Sequence, residues 1–175
     1  VSFVESACCN YELKLVLLGD VRQQIRYLNI EDDGSLKDER GSFSYGKIWA
    51  KEDPAHTVIP VVYGMDGGPV AWGVLHRTAD CGMPSSAVAS VYVDPNHRGH
   101  GLGVKVASVL WRQARDKNVT CIQVDDSRPD AKALWVKTAC QCGYYREQTE
   151  KVFKDLAVYY RKPCQHSGTY SCLLR

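Results

Sequence analysis

The stretch that most constrains this chain is residues 86–126, where SAVASVYVD runs into PNHRGHGLG, then an amphipathic segment, then VTCIQVDD. Valine-rich, β-branched SAVASVYVD predicts a strand, and VTCIQVDD predicts a second one of the buried type. Between them LGVKVASVLWRQARDK spaces Val104, Ala107, Val109, Leu110 and Trp111 as an apolar helix face, with Lys105, Arg112, Arg115 and Lys117 as its charges. Two strands joined through a helix lie parallel in one sheet. A glycine-rich turn from strand to helix at such a crossover is a place where an anion can dock.

Around this unit the chain reads as mixed α/β. Leu13, Leu17, Leu18, Val21, Ile25 and Leu28 recur near one helical face, so the first third is predicted helical. IEDDGSLKDERG is predicted to be a loop between helical segments. TVIPVVYG and VAWGVLHRT form a predicted hairpin across MDGGP, with Pro60 placing the first strand at an edge or an irregularity. Pro129 opens a helix over DAKALWVKTACQC that Gly143 ends, and YYREQ and DLAVYYRK are two further strands. The 175 residues are 45% hydrophobic and 24% charged, which suits a single domain over 1–175, with 163–175 as an extra C-terminal segment.

Net charge is +2, so no global field favours nucleic acid, and no apolar run is long enough to span a membrane. Eight cysteines without a secretory signal predict free thiols in a reducing, cytoplasmic compartment. Cys140-Gln-Cys142 and Cys164-Gln-His166, with Cys172 nearby, lack the two-to-four-residue gap that brings two thiolates to one tetrahedral metal, so no metal is expected.

Three phosphate cradles compete for PNHRGHGLG. A P-loop needs GxxxxGK[ST], and no lysine stands at that place. A dinucleotide fingerprint needs GxGxxG, but Gly103 comes one residue early. The third pattern, Arg/Gln-x-x-Gly-x-Gly/Ala between strand and helix, is met by Arg98, Gly99, His100, Gly101, Leu102 and Gly103. With Val91-Tyr92-Val93-Asp94-Pro95 ahead of it, the segment resembles the acetyl-CoA motif of the GCN5-related N-acetyltransferase (GNAT) superfamily. A second family motif, roughly Asn-x-x-Ala-x-x-Leu-Tyr-x-Lys-x-Gly-Phe, is similar to 128–144. There Ala131, Leu134 and Lys137 match, Arg128 and Trp135 replace the asparagine and the tyrosine, and Gly143-Tyr144 stands for Gly-Phe after an extra turn.

The resemblance implies a GNAT-like fold, with a mostly antiparallel twisted sheet, two parallel splayed strands and flanking helices. It implies direct acetyl transfer from acetyl-CoA, as co-substrate, to a primary amine of a small molecule or a protein. The alternative is a non-catalytic acyl-CoA-binding or protein-interaction module on the same fold. Backbone groups around Ser90, Val91, Tyr92 and Val93 would bond the pantetheine, loop 98–103 the pyrophosphate, and Trp135 would pack on the pantetheine.

With the family's tyrosine replaced, Tyr144, Tyr145 and Cys140 are the candidate proton donors. Asp125 and Asp126, at a strand's C-terminal end, are candidate bases; His76 closes an earlier strand, and Asp94 belongs to the turn. Glu31, Asp32, Asp33, Asp38 and Glu39 outnumber Lys37 and Arg40, which favours a cationic acceptor, a small molecule or a protein lysine or N-terminus. Homodimeric assembly is compatible with this reading.

Overall fold

The structure, a computed structural model, describes residues 11–26, 36–38, 41–43, 55–78, 86–125, 129–147 and 157–162. The Arg128 position, Asp126, Leu28 and the acidic residues 31–33 and 39 lie outside these. So do Cys164, His166, Cys172 and the whole 163–175 segment.

In chain order the strands are β1 (Glu12–Leu17), β2 (Leu36–Asp38), β3 (Gly41–Phe43), β4 (Val58–Tyr63), β5 (Pro69–Thr78), β6 (Ser86–Val93), β7 (Cys121–Asp125), β8 (Tyr145–Arg146) and β9 (Ala157–Arg161). The helices are α1 (Leu18–Arg26), α2 (Leu102–Asp116) and α3 (Pro129–Cys140), with a 3₁₀ turn at Pro95–His97. Seven strands pair in the order β1-β4-β5-β6-β7-β9-β8, and β2 and β3 form a separate hairpin. Pairs β1–β4, β4–β5, β7–β9 and β8–β9 are antiparallel, whereas β6 and β7 are parallel, as their helical connection requires. Among the described residues no helix is long and apolar enough to cross a membrane.

Two compact units share the chain, one of Val1–Val74 with Val91–Val106, the other of Leu75–Ser90 with Ala107–Arg175. The core of the first is built by Leu18, Val21, Ile59, Val61, Trp72 and Val74, with Val16, Tyr63 and Tyr92 against it. Its α1 buries Leu18 and Val21, three residues apart on one face, and the Leu18 N–H donates to the Thr57 carbonyl at 2.8 Å.

In the second unit Trp111 is the hub. Its ring lies 5.8 Å from Trp135, 5.0 Å from Tyr144 and 5.5 Å from Tyr160. Its indole N–H, fully buried, donates to Thr138 Oγ1 at 2.8 Å, and that hydroxyl donates to the Leu134 carbonyl at 2.8 Å. A buried donor without such a partner costs about 1–3 kcal/mol, which is why a threonine stands in the last turn of α3.

Two expectations are corrected, and a third is narrowed to one of its alternatives. Residues 12–17 form a strand, since six successive pairs from Glu12↔Tyr63 to Leu17↔Val58 satisfy their backbone, and the helix begins only at Leu18. The acidic stretch contains β2, paired from Leu36↔Phe43 to Asp38↔Gly41. Of the two readings of Pro60, the irregularity holds and the edge does not: β4 lies between β1 and β5, Pro60 faces Leu15, and the strand's register shifts at Val62/Tyr63.

Candidate functional site

The loop that follows β6 is built by a succession of short-range restraints. The Asp94 N–H donates to the Val70 carbonyl at 2.8 Å, fixing the end of β6 to β5. Its carboxylate accepts the Asn96 N–H at 2.8 Å and its carbonyl the His97 N–H at 2.9 Å, so Asp94 caps the 3₁₀ turn. This is the turn-ordering place the sequence assigned it. Pro95, whose ring presets φ, occupies the first position of that turn.

Arg98 then reaches back, its Nε donating to the Val93 carbonyl at 3.2 Å, which ties the two ends of the turn together. His100 Nδ1 lies 3.0 Å from the Arg98 carbonyl and 3.2 Å from that of His97. With acceptors on both sides, that nitrogen carries the proton and Nε2 faces away.

Gly99 and Gly101 adopt φ of +83° and +72°, the left-handed region that L side chains rarely enter. A Cβ added at either would meet nothing within 4 Å, so the space over both backbones is open to a ligand. The Gly101 carbonyl accepts the Lys105 N–H at 3.2 Å, which opens α2. The N–H groups of Leu102, Gly103 and Val104 come before that first helical bond and have no acceptor within the helix. A fifteen-residue helix places partial positive charge on them. Open space over the glycines, N–H groups unpaired within the helix, and the helix dipole together make a cradle that suits a phosphate or pyrophosphate. Leu102 is itself buried, anchoring the helix start in the core.

On β6, Val91, Tyr92 and Val93 are half-buried, and the Tyr92 ring packs 4.4 Å from Trp72. Ser90 is buried. The β6–β7 ladder runs from Ser86↔Cys121 to Val88↔Gln123, while β7 continues beside β9 as far as Asp125↔Ala157. Asp125 ends β7; Asp126 lies outside the described residues. His76 is half-buried in β5.

In the second unit, Trp135 is 3% exposed and stands edge-on to Trp111. Tyr144 is fully buried; its hydroxyl donates to the Val119 carbonyl at 2.5 Å, and the Lys162 ammonium lies 5.2 Å over its ring. Burial first, then the neighbouring Cys142, pushes the hydroxyl up to about 12. The geometry runs against Tyr144 as the proton donor, because its proton is held by a backbone carbonyl and its acidity is lowered. Tyr145, by contrast, is exposed, and so is Cys140, whose thiol lies 3.5 Å from the Lys137 carbonyl. Lys105, Arg112, Arg115 and Lys117 are all exposed, and Arg115 pairs with Asp116 at 3.2 Å.

Sequence reasoning located the glycine turn between strand and helix because each part is local. It missed Tyr11, whose ring lies 5.9 Å from His97 and 5.6 Å from His100, because nothing in the sequence signals a contact across more than 80 residues.

A parallel strand pair bridged by a helix, with a glycine-rich turn at the helix start, within a mostly antiparallel sheet, defines a mixed α/β domain. The chain belongs to the Acetyltransferase (GNAT) family, whose model matches residues 23–139. Solved structures share the fold. A phosphinothricin acetyltransferase from Sinorhizobium meliloti, in complex with AcCoA, is 16% identical, covering 87% of this chain and 88% of its own, with a TM-score of 0.56. An N-acetyltransferase from Staphylococcus aureus Mu50 is 15% identical over 86% of this chain and 96% of its own, at 0.57. A spermidine N-acetyltransferase chimera from Vibrio cholerae is 19% identical over 86% and 95%, at 0.52. No curated protein sequence matches significantly.

Proposed function

We propose that this chain is an acetyl-CoA-dependent N-acetyltransferase that moves an acetyl group directly onto a primary amine of a small molecule or a protein. The observation that carries the reading is the open cradle at Gly99 and Gly101, with α2 opening behind it. It suits the CoA pyrophosphate, with Gly99 to Gly103 supplying backbone N–H groups and Arg98 locking the turn.

Direct transfer asks little covalent work of the protein. The neutral amine attacks the thioester carbonyl, the oxyanion collapses, and the CoA thiolate leaves while the amine loses a proton. Backbone groups of Ser90, Val91, Tyr92 and Val93 are assigned to the pantetheine and the thioester carbonyl, as an oxyanion hole works. Asp125 and Asp126 are the assigned bases at the strand's C-terminal end. Water reprotonates the thiolate, because a thiol of pKa about 8.5 is a tolerable leaving group without an acid. The acidic excess around 31–39 favours a cationic acceptor. Free thiols at Cys121, Cys140 and Cys142 fit a reducing, cytoplasmic setting.

Isothermal titration with acetyl-CoA tests the reading. Binding that Arg98→Ala combined with Gly101→Val abolishes is the expected result. No binding below about millimolar, or binding untouched by that double change, overturns it.

A second reading, an acyl-CoA-binding module without turnover, is favoured by one observation: the Tyr144 proton is committed to Val119. Thiol release measured over a broad amine and peptide panel separates the two. Tight CoA binding with no release on any acceptor selects the module.

A further inference from the structure

We propose that Tyr11 is a positioning residue for the coenzyme loop, clamping its two histidines so that the glycine backbone is ordered before the ligand arrives. The inference rests on the assignment of 98–103 to CoA.

The loop has a particular weakness. Gly99 and Gly101 are exposed, have no side chains, and touch nothing on the side where a Cβ would stand. Glycine loses more backbone freedom on ordering than any other residue, so an anion arriving at a mobile loop must offset that entropy out of its own binding energy. Several of the restraints within the loop are internal. Asp94 holds Asn96 and His97, Arg98 returns to Val93, and His100 folds onto the carbonyls of His97 and Arg98. Such bonds set the local shape but do not fasten the segment around Gly99 to anything distant in the chain.

Tyr11 does. It immediately precedes β1, and its backbone is fixed by the neighbouring Glu12↔Tyr63 pair. Its half-buried ring meets His97 at 5.9 Å with planes at 81°, and His100 at 5.6 Å with planes at 62°. Both are edge-to-face geometries, the favourable arrangement for aromatic rings. The two histidines bracket Arg98 and Gly99, so one ring holds both sides of the first left-handed glycine. His97 Nδ1 is buried and makes no hydrogen bond, so this ring is held by packing rather than by polar contacts on that nitrogen. The contact is therefore placed to reduce the entropy that CoA binding costs.

The test uses the full chain with CoA and with 3′-phospho-ADP, which carries the anionic half alone, in isothermal titration. Tyr11→Ala is expected to weaken both by about tenfold, or about 1.4 kcal/mol. Tyr11→Phe keeps the ring edge and is expected to stay within about twofold of the parent protein. Hydrogen exchange without ligand supplies an independent readout: amides 97–101 should exchange faster in Tyr11→Ala, while those of α3 keep their rates. Equal CoA affinity in the alanine variant overturns the inference and leaves the coenzyme assignment standing. Equal loss in Tyr11→Phe and Tyr11→Ala overturns it too, since the ring edge would then not be what acts. A parent protein that binds neither probe overturns both this inference and the assignment it rests on.

Discussion

Replacing Tyr144 by phenylalanine removes one oxygen and separates two roles that tyrosine could play. The hydroxyl is fully buried and donates to the carbonyl of Val119, itself buried. Removing the donor leaves that carbonyl without it, at about 1–3 kcal/mol, while the ring keeps its place 5.0 Å from Trp111. For a domain of this size each kcal/mol shifts Tm by about 2–4 °C, so a drop of about 2–12 °C is expected in a thermal melt. Turnover on the best acceptor, read as CoA thiol release, should stay within about threefold, against the roughly 10²–10⁴-fold a positioned proton donor contributes. A fall of a hundredfold or more in kcat, with Tm unchanged, refutes the reasoning and returns Tyr144 to the chemistry. The pH dependence adds a second check. The folded-state value is raised, so the stability tied to the protonated hydroxyl is fully present below about 10 and is lost as pH climbs towards about 12. Tyr144→Phe should flatten that alkaline limb.

Thr138→Val strips the partner from the buried Trp111 indole and should cost about 1–3 kcal/mol in denaturant unfolding; an unchanged midpoint would mean the indole finds another acceptor. Gly143→Ala forces a Cβ into φ +77° and should cost about 1–2 kcal/mol, although no atom lies within 4 Å to clash with it. Gly101→Ala should cost a similar amount in stability and also weaken CoA binding, whereas Gly143→Ala should leave CoA affinity alone. Asp125→Asn should lower kcat about a hundredfold with the Kd for CoA unchanged; full activity would remove Asp125 from the mechanism.

The part of the fold that was legible in the sequence is the part whose restraints are short. Strand β6, the glycine turn and α2 each carry their signal within a dozen residues, and the parallel pairing follows from the helix between the strands. Gly143 was readable as a helix stop because only a left-handed residue ends α3 this way. The misread segment shows the limit. Leu13, Leu17, Leu18 and Val21 fit a helical face, but the backbone of the first two is claimed by β4, more than forty residues away. Leu18, Val21 and Ile25 are helical, and the strand ends just before them. Pro60 left an edge and an irregularity both open, and only the neighbouring strands decide: β4 lies inside the sheet, with its register shift at Val62/Tyr63. In the candidate site, the glycine turn could be read from spacing. Whether a tyrosine keeps its proton could not, because it depends on a carbonyl 25 residues upstream.

The ring cluster around Trp111 also gives the protein an optical handle. Trp111 and Trp135 stand 5.8 Å apart at 90°, with Tyr144 and Tyr160 beside them, while Trp72 sits in the separate core formed by Leu18, Val21 and Ile59. Indoles that close and mutually perpendicular couple their transitions, so the near-ultraviolet circular dichroism of the unit holding α3 should be dominated by a paired signal. Trp72, next to Tyr92 on the strand that leads into the glycine loop, belongs to the other unit. With the chain's fourth tryptophan, Trp49, replaced, single-tryptophan variants that keep Trp72 or Trp111 would give each unit a native reporter of ligand binding and unfolding without attaching a dye.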